Sequence, residues 1–384
     1  MGRKKKKILV ITGSRAEYGL LKSTIERIES SKILSLCLLV TGMHTLIKYG
    51  DTIDVIKKDG LSISYVVPIT ENDDMLGALS KEINGIKNVC LKEEPAAILV
   101  LGDRDESFAG AIVGGHLKIP VLHIHGGDVS GYLVDEYIRH AITKFSHLHF
   151  TASRKSYQRV VRLGEEKRRV YLVGAPGLDA LRQMNYLSKK LLAAKYNLDI
   201  NKKWLLVVQH ATPLDKVGVK DQITPTLDAL SEIEAEKILI YPNNDSGGEI
   251  IIAEINKYGN NSNFYIFPSL DRRSYVSLLK YSDAIVGNSS SGIIETSFFN
   301  LPAVDIGNRQ RGRECGPNVI HVSYQRGRIK RAIIKALSPQ FRNNCKRMKN
   351  FYGQGRAGEK IVGIIEKNIN NPELFYKKFT YADN

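Results

Sequence analysis

Residues 98–107 read ILVLGDRDES, and residues 119–128 read IPVLHIHGGD. Each opens as an apolar, β-branched run and then breaks off into glycine, carboxylates, an arginine or histidines. A buried run of this length, followed by a helical pattern, is how a strand of a parallel sheet reads. In an open α/β sheet, ligands bind at the carboxyl ends of the strands. The two breaks therefore read as half of an active site, and the rest must come from elsewhere in the chain.

The same pattern extends in both directions. Strand-like runs lie at 7–12, 34–41, 96–102, 120–125, 147–153 and 169–174, and helical stretches such as AEYGLLKSTIERIES separate several of them. A polar, lysine-rich stretch follows at 185–203. Strand-like runs then resume at 204–212, 237–248, 263–270, 283–292 and 302–310. Strands alternating with helices predict parallel sheets covered on both faces. The expected fold is α/β, with two Rossmann-like, doubly wound domains facing across a cleft. The boundaries predicted are 1–178, completed by a C-terminal helix at about 355–384, and 179–354. The segments ITGSRAEYG and VTGMHTLIKYG rhyme, which suggests one supersecondary unit used twice.

Composition narrows the function. The net charge of +16 comes from 56 Lys and Arg against 40 Asp and Glu, which suits an anionic partner. The basic residues are scattered, with no RNA-binding signature or aromatic–basic stripe, so no nucleic-acid partner is expected. Lys4–Lys7 reads as a solvated flank before the first strand. No apolar run is long enough to cross a bilayer, so no membrane partner and a cytoplasmic location are expected. Four widely spaced cysteines argue against a disulfide framework or zinc ribbon. The pairs His123/His125 and His147/His149 could each hold zinc on a strand face. Serine and carboxylate are more evident than a tetrahedral ligand set, so no metal is expected.

The chemistry divides into two sets. On the phosphate side, GNSSSGIIE (287–295) follows a strand and precedes an apolar, helix-like stretch. Small residues there permit close backbone approach, and a helix N-terminus favours an anion. Ser289, Ser290, Ser291 and Gly292 are candidate phosphate contacts, and Glu295 suits a ribose diol. The segment DIGNRQRGREC (305–315) adds Arg309, Arg311 and Arg313, whose guanidinium groups suit a diphosphate. Arg15, in the first strand-to-helix loop, could reach the same group. No clean dinucleotide or P-loop motif occurs, so no cofactor is expected. On the acid–base side stand Asp103, Arg104, His123, His125 and Asp128. Asp135, Glu136, Arg139 and His140 come from VDEYIRHAITK, and His210 ends the first strand of the second half. Carboxylates and imidazoles gathered this way suit proton transfer.

At TGSRAEYG, LGDRDE, HIHGGD, DEYIRHAITK, QHAT, YPNNDSGG and GNSSSGIIE…IGNRQRGRE, the chain resembles the hydrolysing UDP-N-acetylglucosamine 2-epimerases. The resemblance runs in order over essentially the whole length. It implies the GT-B arrangement and a UDP-sugar partner. It also implies elimination of UDP to a 2-acetamidoglucal and hydration to N-acetylmannosamine, for sialic-type acid synthesis. A homo-oligomer, dimer or tetramer, is expected. Positions matching Arg15, Ser289, Ser290, Glu295 and Arg309 contact nucleotide in that family. Asp103, Asp135 and His210 match its catalytic set, and Asn243 lies near the sugar. Many members read HIEGGE where this chain has His125 and Asp128 in place of the two glutamates. The acid and base therefore remain to be assigned among Asp103, His125, Asp128, Asp135 and His210. A related branch acts on a UDP-2,4-diacetamido-trideoxy sugar in legionaminic-acid synthesis. Non-hydrolysing relatives typically carry GTRPE and HVEAGLRT instead, which favours hydrolysis here. The rival readings are a non-hydrolysing epimerase, which keeps the nucleotide attached, a GT-B glycosyltransferase and a silent UDP-sugar-binding protein.

Overall fold

A computed structural model describes residues 4–47, 52–129, 134–213, 215–243 and 246–380. The apolar runs become strands because their side chains are buried on both sheet faces. Ile8 to Ile11, Ala97 to Val100 and Val121 to Ile124 are all essentially inaccessible to solvent. The first sheet contains β1 (Lys6–Thr12), β2 (Leu34–Val40), β3 (Tyr65–Val66), β4 (Ala97–Leu101), β5 (Val121–Ile124), β6 (Leu148–Thr151) and β7 (Val170–Leu172). Its order is β3-β2-β1-β4-β5-β6-β7, parallel throughout. The second contains β8 (Trp204–Val208), β9 (Glu236–Ile240), β10 (Phe264–Phe267), β11 (Ala284–Gly287), β12 (Ala303–Ile306) and β13 (Val319–Val322). Its order, β10-β9-β8-β11-β12-β13, is parallel as well. Both are doubly wound Rossmann-like sheets. The strand order reverses between β1 and β4 in one and between β8 and β11 in the other, and ligands bind such sheets at that reversal.

The chain divides into two compact units, one of residues 1–182 with 353–384 and one of residues 183–352. In the first, the helix Ala357–Asn368 lays Ile361, Val362 and Ile365 against Leu21, Ile25 and Ile28 of the helix Arg15–Glu29. Asp179 ties this return down. Its carboxylate accepts the backbone N–H of Ala357 at 2.8 Å, that of Gly358 at 2.7 Å and the Ser23 hydroxyl at 3.0 Å. A carboxylate on the first free N–H groups of a helix is a favourable cap.

Some elements differ from the sequence reading. Strands β3 and β13 were not anticipated. Both are short edge strands whose side chains are half-buried or exposed, so neither shows a continuous apolar run. The lysine-rich stretch contains a helix, Lys189–Tyr196, capped by Ser188. Lys6 and Lys7 belong to β1, and the Lys7 ammonium pairs with Glu93 at 2.5 Å. The two rhyming segments also part ways. The first runs into a fifteen-residue helix capped by Ser14, the second into a 3₁₀ turn, Gly42–Thr45. Tyr49 and Gly50 of the second lie outside the described residues.

Candidate active site

In the first unit, the carboxyl ends of β4 and β5 converge on one buried arginine. Arg139, on the helix Val134–Phe145, is 3% exposed and pairs with the Asp103 carboxylate. It also pairs with Glu136 at 2.9 Å and donates to the Asp128 carbonyl at 2.9 Å. Asp103, Glu136 and the Asp128 backbone are thus fixed by a single guanidinium fork, which suits this role better than a lysine.

His125 stands beside this hub. Its backbone is left-handed, with φ of +65°, a conformation uncommon outside glycine. Its N–H donates to the Phe150 carbonyl at 3.0 Å, and Nδ1 lies 2.7 Å from Asp128 Oδ2. The other oxygen of Asp128 accepts the Ser156 hydroxyl at 2.6 Å. Gly127 makes that approach possible, since a β-carbon there would sit 2.3 Å from the Ser156 carbonyl oxygen. His125 Nε2 is buried and has no hydrogen-bond partner among the described residues. One ring nitrogen is therefore held by a carboxylate while the other is buried and unpaired, the arrangement of an oriented acid or base.

The neighbouring histidines are structural. His123 is fully buried, donates through Nε2 to the Gly102 carbonyl at 2.7 Å and is pushed down to about 3 by burial. His147 is likewise pushed down to about 4, chiefly by burial, and accepts the Val121 N–H at 3.1 Å. Asp135 is half-buried in the first turn of the helix that carries Arg139. Burial, then Glu106, pushes the Asp105 carboxyl upward, and the Asp135 charge adds a smaller push. The Arg104 guanidinium turns to Glu106 at 2.8 Å rather than standing free. Arg15 is exposed at the start of its helix.

Two buried acids beside β1 and β2 escaped the sequence reading. Glu17 accepts the Thr12 hydroxyl at 2.6 Å and the Gly13 N–H at 3.1 Å. Burial, then the nearby Glu106, pushes its carboxyl up to about 8. Glu82, bonded to Thr41, rises to about 8 for the same two reasons. Nothing in their local sequence marks them, because burial of a helical glutamate depends on what packs above it.

In the second unit, the reversal point is stitched by Asn288. Its side chain accepts the His210 N–H at 2.7 Å and donates to the His210 carbonyl at 2.9 Å, joining the ends of β8 and β11. Gly287 allows the approach, since a β-carbon there would lie 2.0 Å from the Val208 carbonyl oxygen. His210 Nδ1 lies 3.0 Å from the Asn243 side-chain oxygen and 3.1 Å from the Asn243 backbone nitrogen, so Asn243 holds the ring at that edge. Ser289 caps a 3₁₀ turn, Ser290–Gly292, by accepting the Ser291 N–H at 3.4 Å. The helix that follows, Glu295–Phe299, is only five residues long, and Glu295 pairs with Arg272. The loop therefore offers hydroxyls and a tight turn rather than the dipole of a long helix. Arg309 and Gln310 both donate to the Asn288 carbonyl, at 3.2 and 2.8 Å, so Arg309 is held at this loop. Arg313 is not; it lines a separate cavity with Arg311, beside β13.

The first unit thus gathers Asp103, Asp128, Glu136 and Arg139 with His125 beside them, and also carries Arg15, while the second gathers Asn288, Ser289 and Arg309 with His210 and Asn243 and leaves Arg313 apart. The description UDP-N-acetylglucosamine 2-epimerase belongs to a family model that matches residues 26–366. The chain belongs to this 2-epimerase family. It is 37% identical over 367 residues to the UDP-N,N'-diacetylbacillosamine 2-epimerase (hydrolyzing) of Legionella pneumophila, covering 94% of this chain and 96% of that one. It is 35% identical over 335 residues to a UDP-N-acetylglucosamine 2-epimerase of Neisseria meningitidis, covering 87% and 88%. The fold is shared with a crystal structure of a UDP-GlcNAc 2-epimerase from Neisseria meningitidis bound to UDP-GlcNAc. That likeness has a TM-score of 0.80 and 19% identity and covers 94% of this chain and all of the other. As an epimerase of the GT-B class, the chain has two Rossmann-like domains, the architecture anticipated from its alternating strands.

Proposed function

We propose that this epimerase is hydrolytic, converting UDP-N-acetylglucosamine and water into N-acetylmannosamine and UDP. The observation that carries the reading is the His125–Asp128 pair, which holds one imidazole nitrogen and leaves the other buried and unpaired. The hydrogen on C-2 of the sugar is hardly acidic while the C-1–oxygen bond is intact. As that bond breaks, positive charge develops at C-1 and the C-2 hydrogen becomes removable. His125 Nε2 takes the proton, the C-2–H electron pair forms the C-1=C-2 bond, and UDP departs with the C-1–oxygen electrons. Water then adds to C-1 of the 2-acetamidoglucal while a proton arrives at C-2 on the opposite face, supplied from Asp103 or Asp135. Catalysis of this kind depends on stabilising the departing diphosphate. That role falls to Arg15, Arg309 and the Ser289–Gly292 turn, with Glu295 on the ribose and His210 and Asn243 at the sugar-phosphate end. Arg104, spent on Glu106, and Arg313, in its own cavity, are left out of the nucleotide set. A cytoplasmic homo-oligomer belongs to the same reading, checked by fractionation and light scattering.

A second substrate is favoured by one observation. The Legionella relative is named for UDP-N,N'-diacetylbacillosamine and for hydrolysis. The test is kcat/KM for UDP release from each of the two UDP-sugars. Release from either one, with no UDP-linked epimer accumulating, supports the hydrolytic reading, and the larger kcat/KM assigns the substrate. A UDP-linked C-2 epimer without free UDP would make the enzyme non-hydrolysing. Tight binding of both sugars without turnover would make it a binding protein.

A further inference from the structure

The loop between β12 and β13 carries chemistry that the epimerase reading does not use. Cys315 Sγ lies 3.2 Å from His321 Nε2, and His321 Nδ1 lies 2.8 Å from Asp305 Oδ2. Asp305 is buried near the end of β12, His321 is half-exposed on β13, and Cys315 is partly exposed in the loop. A thiol, an imidazole and a carboxylate in this order form a nucleophile, its base and the group that orients the base. The hydrogen bonds to Asp305 and then to Cys315 push His321 up to about 10, so the ring is a cation at neutral pH. The protonated ring stands 3.2 Å from the sulfur, placed to hand a proton to a departing thiolate. The other three cysteines contrast sharply. Cys37, Cys90 and Cys345 are buried, and burial pushes each thiol up, Cys90 to about 12.

His321 also lines a cavity of about 680 Å³. Arg311, Arg313, Arg328, Arg331 and Lys335 stand around it, with no carboxylate among the described lining residues. Against them stand Asp305 behind His321 and Asp215, which bonds to Asn308 and Tyr324, and the excess of cations concentrates anions at that wall. The nucleophile and the anion-attracting cavity share one side chain, His321.

We propose that Cys315 is a thiol-modification site whose cavity draws in a small disulfide bearing carboxylates, of the oxidised-glutathione type. The Cys315 thiolate attacks one sulfur of that disulfide, and the S–S bond breaks. The departing thiolate takes the proton from His321 Nε2. The products are a mixed disulfide on Cys315 and one equivalent of free thiol, and the small disulfide is itself the oxidant. The neutral imidazole that remains stays bonded to Asp305.

The full-length protein is incubated with oxidised glutathione at pH 7 and followed by intact mass and peptide mapping. Bis(2-hydroxyethyl) disulfide serves as an uncharged probe. The expected result is one adduct, on Cys315, forming several-fold faster than in His321→Asn, because that variant lacks the proton donor beside the sulfur for the departing thiolate. The double variant Arg331→Gln/Lys335→Gln slows glutathione transfer and leaves the uncharged probe unaffected. Equal rates in wild type and His321→Asn, or adducts spread over all four cysteines, overturn the proposal. Should His321→Asn fail to fold, salt decides with the wild-type chain alone. Added sodium chloride slows glutathione and spares the uncharged probe if the cavity recruits the disulfide, and an equal response from both overturns it.

Discussion

His125 holds a left-handed backbone that costs a residue with a β-carbon on the order of 1–2 kcal/mol. The bonds from its N–H to Phe150 and from its ring to Asp128 hold it there. Strain kept at one imidazole, beside a carboxylate that orients it, is expected where geometry serves chemistry. Replacing Asp128 with Asn keeps the size and removes the charge. Turnover is expected to fall by about 10²–10⁴-fold, the usual worth of an oriented acid–base group, while KM and circular dichroism stay near wild type. Unchanged kcat would remove the pair from the mechanism. Arg139 tests the same site through stability. Arg139→Met strands the Asp103 and Glu136 carboxylates, and urea unfolding should show a loss of about 3–5 kcal/mol. At this scale the residue types were legible in the sequence and their pairings were not. Arg139 read as one member of the acid–base set on a helical stretch, and only the fold shows three groups meeting on it. Arg313 read as a partner of Arg309, yet the loop turns between them and sends the two side chains to different places.

Elements were legible where burial is complete. The runs ending at Leu101, Ile124, Val208 and Gly287 are inaccessible on both faces, and that leaves an unbroken apolar signature. The edge strands β3 and β13 leave none, because an exposed face admits polar residues. The helix expected after GNSSSG is five residues long, since a 3₁₀ turn consumes its start and Asn300, in a left-handed conformation, ends it. The C-terminal helix expected at about 355–384 ends at Asn368, and the segment beyond it takes another course because its anchors lie far away in sequence. Arg169 donates to the carbonyls of Glu373, Leu374 and Tyr376 at 2.7, 3.0 and 2.7 Å. Lys377 pairs with Glu165 at 2.7 Å and donates to the Lys144 and Ser146 carbonyls at 2.7 and 2.8 Å. Buried acceptors left without donors cost about 1–3 kcal/mol each. Arg169→Met should therefore release residues 372–380 to hydrogen exchange and limited proteolysis while the second unit keeps its protection. Unchanged exchange there would show that packing alone holds the segment.

Across the whole molecule, the buried titratable groups set a pH dependence. Glu17 and Glu82 keep their protons to about 8 when folded, against 4.5 for an ordinary glutamate. Folded chains then bind more protons than unfolded ones between those values, so stability falls as pH rises through that range. His44, His123 and His147, pushed down to about 4, 3 and 4, act in the opposite sense, but only up to 6.5. His321, raised to about 10, adds to the decline above 6.5. Between pH 6.5 and 8 Glu17, Glu82 and His321 each pull downward, by on the order of 1 kcal/mol per group per pH unit, while the depressed histidines no longer act. Urea unfolding at pH 6.5 and 8 should show that fall, and Glu17→Gln should reduce it. A flat or rising profile would mean that the buried acids are already ionised in the folded chain.

The two-step chemistry at C-2 is tested most directly by incubating the protein with UDP-N-acetylglucosamine in D₂O, with proton and phosphorus NMR followed together. Free UDP accompanied by N-acetylmannosamine that carries deuterium at C-2 is the predicted result. UDP-linked sugar epimerised at C-2 with no UDP released would contradict hydrolysis, and N-acetylmannosamine that keeps its C-2 proton would contradict removal of that hydrogen by an exchangeable base such as His125.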